Sequence, residues 1–218
     1  MCTLIVLHRC VPGRPLVVAA NRDEFHARPA EGPAIRRIDG GRILAPLDLE
    51  AGGTWLGLND RGVFSALTNL RSWTPDPGDD GAGTGESAER TESTESTEAE
   101  RAEGRRSRGE LVMRALEAGS ADEAARRLER LVERERQNGR KSRVYDPFQL
   151  VVADERTAWQ MIYGERVRLV PLEPGAHVVG NVEDESAEAR PTEPRALKLS
   201  RVRTRVEKLL TESGEDLL

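Results

Sequence analysis

The sequence predicts a layered α+β protein, and the order of its strand-like and helix-like segments carries that prediction. Apolar runs of strand length fill the first 70 residues, and two stretches with helical spacing begin near residue 109. Strand-like runs return at residue 148, and a further helical stretch lies near residue 200. Strands and helices that are grouped in blocks, rather than strictly alternating, are typical of α+β folds.

Six strands are predicted in the first block. Residues 3–8 form the first, directly after Cys2, and residues 15–21 have the β-branched and small side chains of a strand buried on both faces. The other four are expected at residues 34–38, 42–46, 54–59 and 62–69. The segment Asn59–Gly62 joins the last two as a hairpin, because Asp and Gly favour tight turns.

An acidic segment of low complexity follows these strands. Between Asp76 and Glu103 there are ten acidic and two basic residues, and almost no apolar ones. Such a segment buries too little surface to offset its ordering entropy. We therefore predict a single domain over residues 1–218 with an acidic disordered insertion at about 74–107. An acidic interaction segment is the alternative.

Helices and then strands are predicted beyond the insertion. Residues 109–118 form one helix, and the capping box Ser120–Glu123 starts the next. Their buried faces are expected to consist of Leu111, Val112, Ala115, Leu116, Ala124, Ala125, Leu128, Leu131 and Val132. Strands are expected at residues 148–153, 157–163, 166–170 and 177–181. Residues 195–210 form the last helix, with an apolar stripe of Leu197, Leu199, Val202, Val206, Leu209 and Leu210.

Composition narrows the classes of function. No apolar run approaches the roughly 18–20 residues of a membrane helix, and no signal-peptide pattern precedes the first strand. The net charge is −5 without a basic stripe, which argues against a nucleic-acid partner. The two cysteines, Cys2 and Cys10, do not make a disulfide framework, so we expect a cytoplasmic protein. The three histidines lack metal-ligand spacing, and no metal is expected.

Cys2 is the first candidate for chemistry. If an aminopeptidase removes Met1, one residue carries both a thiol and a free α-amine. An α-amine has a pKa of about 7.7–8, so it can serve as the base that a thiol nucleophile needs. This is the arrangement of N-terminal-nucleophile hydrolases.

A polar cluster, Asn21 to Glu24, ends the second strand. Four polar residues at a buried strand end are costly unless they satisfy each other or bind something. One interpretation is a salt-bridged strand terminus, and the other is a site.

Several motifs occur in a fixed order along the chain. They are Met1-Cys2, Ala20-Asn-Arg-Asp-Glu-Phe25, Arg28-Pro29, Gly52-Gly-Thr-Trp-Leu-Gly57, Ala66-Leu-Thr-Asn69, Ser107-Arg-Gly-Glu-Leu111, Phe148-Gln-Leu150 and Gly180-Asn181. With them the chain resembles the NRDE family, also called the transport and Golgi organisation protein 2 family, from residue 1 to about 198. The resemblance implies a four-layer αββα sandwich like that of N-terminal-nucleophile hydrolases. Family members usually continue with further strands, so either the sequence is truncated or C-terminal strands are missing from the sheet.

The resemblance also implies roles for site residues. Cys2 would be the nucleophile, Arg22 would lower the pKa of its thiol, and Asp23 would orient the amine. Asn69 and Asn181 would donate to the oxyanion, and the alternative is that they cap turns. Bile salt hydrolases and penicillin V acylases look similar in this respect. Their second, late active-site arginine has no counterpart that we identify here.

Four more residues are candidates for ligand binding: Asn21, Glu24, Trp55 and Arg108. The alternative for Trp55 is a core residue, which is the more common role of such a tryptophan. The family has been linked to haem trafficking. No covalent attachment motif is present, so haem would be held non-covalently by His26, His177 or Cys2. Two functions result: a cysteine amidohydrolase or acyltransferase of a small acylated metabolite that requires no cofactor, or a non-catalytic carrier of haem or another hydrophobic ligand.

Overall fold

The computed structural model describes residues 2–70, 106–138, 144–182 and 194–215. The acidic insertion predicted at about 74–107 lies outside the described residues apart from its last two. No helix in the described part of the chain combines the length and the apolar character that crossing a membrane requires.

Ten strands and three helices make up the described fold. The strands are β1 Thr3–Val11, β2 Arg14–Asn21, β3 Ala30–Ile38, β4 Gly41–Asp48, β5 Leu56–Asn59, β6 Phe64–Asn69, β7 Phe148–Ala153, β8 Ala158–Tyr163, β9 Val167–Pro171 and β10 Gly175–Val179. The helices are α1 Gly109–Leu116, α2 Ala121–Asn138 and α3 Pro194–Glu215. Each strand and helix predicted from the sequence is present, with ends that shift by a few residues.

The strands form two antiparallel sheets. The larger has the order β3-β4-β5-β6-β7-β8-β9, and the smaller has the order β10-β1-β2. Helices α1 and α2 cover one face of the seven-stranded sheet, the three-stranded sheet covers part of the other, and α3 packs on β10. This is a four-layer αββα sandwich, which confirms the predicted fold class.

The larger core lies between the two helices and the seven-stranded sheet. Here the predicted helical faces are buried except at Leu131, which is only partly buried, and Leu111, Val112 and Leu128 are fully inaccessible. The rings of Phe148 and Tyr163 stack at 5.1 Å between centroids beneath α2. Burial of these apolar side chains supplies most of the driving force that fixes the helices on the sheet.

A second, smaller core joins the two sheets. It contains Leu4 and Val6 of β1, Phe64 and Ala66 of β6, and Val151 of β7. Because β1 lies across β6 in this core, the start of β1 comes close to the end of β6.

The three-stranded sheet is narrower than the sheet it covers, and this overturns one expectation. β2 was predicted to be buried on both faces, but it is an edge strand that is only partly buried. Beyond it, Ile35, Leu44 and Leu58 are neighbours across β3, β4 and β5 and are 74%, 48% and 41% exposed. Local hydrophobicity predicts a strand but does not say whether the strand lies at an edge.

Helix α3 is anchored at Gly180, directly after β10. A Cβ on Gly180 would lie 2.5 Å from Leu199 Cδ2, so any larger residue would force the buried Leu199 side chain to move. Leu199 and Val206 are buried as predicted. Leu197 and Leu209 are 39% and 47% exposed, so the predicted stripe is wider than the buried face.

Candidate functional site

A cavity of about 530 Å³ opens at one end of the two sheets. β1 and β5 begin there, β2, β4 and β6 end there, and α1 starts beside it. Antiparallel strands bring such ends together even where they are far apart in the chain. The predicted site residues that line this cavity are Cys2, Asn21, Arg22, Asp23, Glu24, Trp55, Asn69 and Arg108. Asn181 is not among the lining residues.

Cys2 lies directly before β1 and is partly buried. Burial raises the pKa of its thiol, and Glu24 adds to that effect, whereas the charges of Arg22 and Lys198 act in the opposite direction. The sequence correctly predicted the sign of the Arg22 effect, but burial outweighs it. The thiol therefore stays protonated at neutral pH unless a base takes its proton.

Arg22 is held by three neighbours at the end of β2. Its guanidinium carbon lies 3.9 Å from the centroid of the Trp55 ring. Its Nη2 lies 3.1 Å from Asp48 Oδ2 and 3.5 Å from Glu24 Oε2. Trp55 is thus a wall of the cavity that fixes Arg22 through a cation–π contact.

Asp48 organises this side of the cavity, and the sequence analysis missed it. Its Oδ2 accepts from Arg22 at 3.1 Å and from Arg28 at 3.0 Å. Its Oδ1 accepts from the backbone N–H groups of Glu50 and Ala51. Burial raises the pKa of Asp48, but the hydrogen bonds from Ala51 and Arg28 outweigh burial and hold that pKa below its usual range. Nothing in the sequence around Asp48 signals this, because both arginines lie 20 or more residues away.

Asp23 connects β2 to helix α3. Asn21 Nδ2 donates to Asp23 Oδ1 at 2.5 Å, and Lys198 Nζ lies 3.5 Å from Asp23 Oδ2. Lys198 was not predicted to belong to the site. The side chains of both partners are more than 40% exposed, so the pair orients Asp23 more than it stabilises the fold.

The two asparagines meet across the sheets, but in unequal roles. Asn181 is 7% exposed, and its Nδ2 donates to the backbone oxygen of Asn69 at 2.5 Å. Its amide therefore holds the end of β6, which differs from the predicted donation to an oxyanion. The exposed side chain of Asn69 lines the cavity.

Two glycine-containing motifs build the wall near α1. Gly53 has φ +75°, and a Cβ there would lie 2.5 Å from the carbonyl carbon of Gly109. Ser107 Oγ donates to the oxygen of Gly52 at 3.2 Å. Arg108 follows, and its Nη1 donates to Pro147 O at 3.4 Å. Gly53 therefore allows a close approach between this wall and the first residue of α1.

The wall of the cavity carries more charge than a typical cofactor site, which is mainly apolar. Its charged lining residues are Arg22, Asp23, Glu24, Arg28, Asp48, Arg106, Arg108 and Asp146. Of the three candidate haem ligands, only Cys2 is a lining residue. His26 is exposed, and His177 Nε2 lies 2.7 Å from the oxygen of Glu173.

Comparisons with known proteins give both a family and a fold. The model of the family "Transport and Golgi organisation 2" matches residues 1–217. The chain is 46% identical over 74 residues to the Transport and Golgi organization 2 homolog of Mus musculus, which covers 33% of this chain and 26% of the mouse protein. It is 49% identical over 57 residues to the Transport and Golgi organization protein 2 homolog of Homo sapiens, which covers 25% of this chain and 20% of the human protein. The matched segments thus span only about a quarter of these relatives.

Among solved structures, the fold is similar to that of the Caenorhabditis elegans N-acylethanolamine-hydrolyzing acid amidase ortholog. The TM-score is 0.50 at 11% sequence identity, over 86% of this chain and 73% of that chain. At this identity the similarity concerns the fold alone.

Proposed function

The chain belongs to the Transport and Golgi organisation 2 family, and from that premise we propose that it is a cysteine amidohydrolase or acyltransferase of the N-terminal-nucleophile type. Its substrate would be a small acylated metabolite. The observation that carries the proposal is the position of Cys2 on the wall of a cavity that Arg22, Asp23 and Asn69 also line.

The reaction begins once Met1 has been removed. The α-amine of Cys2 takes the thiol proton, and Sγ attacks the carbonyl carbon of the acyl group. The tetrahedral intermediate collapses to a thioester as the carbon–nitrogen bond breaks, and the α-ammonium protonates the leaving amine. Water then attacks the thioester and releases the acid and the thiol. In an acyltransferase, a second nucleophile replaces water.

The electrostatics of the site support a base on the same residue. Burial raises the pKa of the Cys2 thiol, so a nearby proton acceptor is needed at neutral pH. A free α-amine with a pKa of about 7.7–8 is suited to that task. Asp23, which contacts Asn21 and Lys198, lines the same cavity as Cys2 and is the carboxylate that we assign to orienting the amine.

The cavity indicates the size and polarity of the substrate. Its volume of about 530 Å³ lies within the usual range of small-molecule sites. Arg22 and Arg28 are paired with Asp48, so this wall presents donors without a large excess of charge. Leu4, Leu56 and Leu67 supply an apolar part. A small amide with a polar head and a short acyl chain suits both surfaces.

The thiol mechanism also indicates the cellular compartment and the binding partners of the protein. The two cysteines of the chain are both free thiols, which supports a reducing compartment such as the cytoplasm. The mechanism uses a small-molecule substrate and requires no cofactor or nucleic acid.

The alternative, a non-catalytic carrier of haem or another hydrophobic ligand, has weaker support. The described residues fit a haem poorly, because the cavity wall is charged and no histidine in the described lining faces it. Of the three candidate haem ligands, only Cys2 favours this alternative, because a cysteine thiolate can bind haem iron.

Turnover of acyl amides by cysteine variants tests the proposal. Release of free acid from a panel of N-acyl amines and N-acyl amino acids is followed for the wild type, Cys2→Ala and the matched control Cys10→Ala. We expect turnover by the wild type and by Cys10→Ala, and none by Cys2→Ala. Equal turnover by Cys2→Ala would exclude Cys2 as the nucleophile. Absence of turnover, together with stoichiometric haem binding that is lost in Cys2→Ala, would favour the carrier.

A further inference from the structure

We propose that Gln149 is a positioning residue that acts through Asn181 to hold Asn69 at the cavity in the geometry needed for oxyanion stabilisation. The inference rests on the proposed function, because it names the device that aligns one part of the same site. Gln149 belongs to the Phe148-Gln149-Leu150 motif, for which the sequence analysis found no role.

The contacts of Gln149 single out the segment around Asn181. Its Nε2 donates to Gly180 O at 3.0 Å and to Val182 O at 3.0 Å. These are the carbonyl groups on either side of Asn181. Both N–H bonds of the amide are thereby used, and both hold the backbone that carries the Asn181 side chain.

The rest of the network fixes Gln149 itself. Its Oε1 accepts a hydrogen bond from Gln160 Nε2 at 2.5 Å. The hydrogen-bond partners therefore identify which atom of the Gln149 amide is the oxygen and which is the nitrogen. Thr68 Oγ1 donates to Gly180 O at 2.8 Å, a second bond to the same carbonyl. These bonds tie β6, β7 and β8 of the larger sheet to the end of β10 in the smaller one.

The network ends at the cavity through Asn181. With its backbone held on both sides, Asn181 donates through Nδ2 to the backbone oxygen of Asn69. Asn69 is the last residue of β6, and its side chain lines the cavity that contains Cys2. Gln149 is 3% exposed and is not a lining residue, so it acts on the site through the backbone segment that carries Asn181.

A buried amide in this position is chemically specific. β7 is buried along its whole length, and the other side chains of that strand are apolar. An apolar residue would suit such a strand equally well, and a polar one is costly there unless it is fully hydrogen-bonded. A carboxylate at this position would place oxygen against two carbonyl groups. Only a primary amide of this length supplies two donors and one acceptor.

Two reagents separate positioning from mere folding. Acylation of Cys2 by p-nitrophenyl acetate forms a carbon–sulfur bond and expels p-nitrophenolate through a tetrahedral oxyanion, and the thiol proton passes to the amine. Alkylation by iodoacetamide displaces iodide in one step and forms no oxyanion. Donors that stabilise an oxyanion accelerate only the first reaction.

The test uses the Cys10→Ala background, in which Cys2 is the sole thiol. Gln149→Glu and Gln149→Met each remove both donors, and Val151→Ala on the same strand serves as a destabilised control. We expect both Gln149 variants to acylate about 10- to 100-fold more slowly, since small misplacements near the chemistry cost up to about 100-fold. Their alkylation rates should stay within about twofold of the parent. Val151→Ala should change neither rate.

The outcomes distinguish the two proposals. If the parent acylates much faster than free cysteine but the Gln149 variants match it, the positioning role is wrong and the proposed function stands. If acylation and alkylation fall together in Gln149→Met, the residue is only structural. If the parent acylates no faster than free cysteine, the oxyanion device and the proposed function fail together.

Discussion

Substitution of Asp48 by asparagine should destabilise the protein by about 2–3 kcal/mol. The variant keeps an oxygen for the backbone N–H groups of Glu50 and Ala51, which Asp48 Oδ1 accepts at 3.1 and 3.0 Å. It loses the charge-assisted bonds from Arg22 and Arg28, each of which is worth about 1.5–3 kcal/mol at most. The expected loss in the free energy of unfolding is smaller than the sum of the two bonds, because both arginine side chains are 21–25% exposed and keep contacts with other carboxylates.

Urea and thermal denaturation measure this effect. For a domain of this size, a loss of about 2–3 kcal/mol lowers the Tm by roughly 4–12 °C. Asp60→Asn is the matched control, because Asp60 pairs with Arg42 at 3.6 Å and neither residue lines the cavity. Since Arg42 is 63% exposed, the control should lose less than about 1 kcal/mol.

The pH dependence of stability provides an independent check on Asp48. Its folded-state pKa is lowered, so its contribution is present above the unfolded pKa of about 3.9 and is lost as the pH falls through the folded pKa. The wild type should therefore lose more stability than Asp48→Asn between about pH 5 and pH 2. Equal acid sensitivity, or equal destabilisation by Asp48→Asn and Asp60→Asn, would refute the role assigned to Asp48.

Three further predictions concern separate parts of the fold. Gly53→Ala should lower the free energy of unfolding in urea by about 1–3 kcal/mol more than Gly52→Ala, because both residues have a positive φ but only Gly53 contacts the backbone at the start of α1. Equal losses in the two variants would contradict this prediction. His8 is 1% exposed, and burial together with the charge of Arg9 lowers its pKa, so stability should fall as the pH drops through about 6.5, and His8→Phe should remove that slope. A double-mutant cycle of Arg22→Met and Trp55→Leu should give a coupling of about 0.5–1 kcal/mol, and a value near zero would dismiss the cation–π contact.

Most of the fold could be predicted because its signals are local. The periodicity of Leu111, Val112, Ala115 and Leu116 predicted a buried helical face, and all four residues are fully buried. At the capping box, Ser120 Oγ accepts a hydrogen bond from the backbone N–H of Glu123, as the motif predicts. Such patterns depend on neighbours three or four residues away, which the sequence displays directly.

What the sequence did not reveal depends on distant partners. Asp48 and Lys198 gained their roles from Arg22, Arg28 and Asp23, which lie on other elements. The prediction that β2 is buried on both faces was wrong, because the sheet topology, and not the sequence of β2 itself, decides how many strands lie beside it.

Gln149 is a different kind of omission, because a signal was present. A glutamine inside the otherwise apolar segment Phe148–Ala153 implies hydrogen-bond partners in the core. The sequence could not say that those partners flank Asn181, since the two segments meet only in the folded protein.

The most direct test of the central claim is the intact mass of the protein during reaction with an acyl donor. The mature form should have the mass of a chain that starts at Cys2, and it should accumulate one acyl group that is lost again as product forms. A folded variant that carries an N-terminal extension keeps Met1 and lacks the free α-amine of Cys2. It should not be acylated at a rate comparable to that of the mature form. Acylation of the extended form as fast as the mature one would show that the α-amine of Cys2 is not the base, and absence of an adduct on the mature form would contradict nucleophilic catalysis by Cys2.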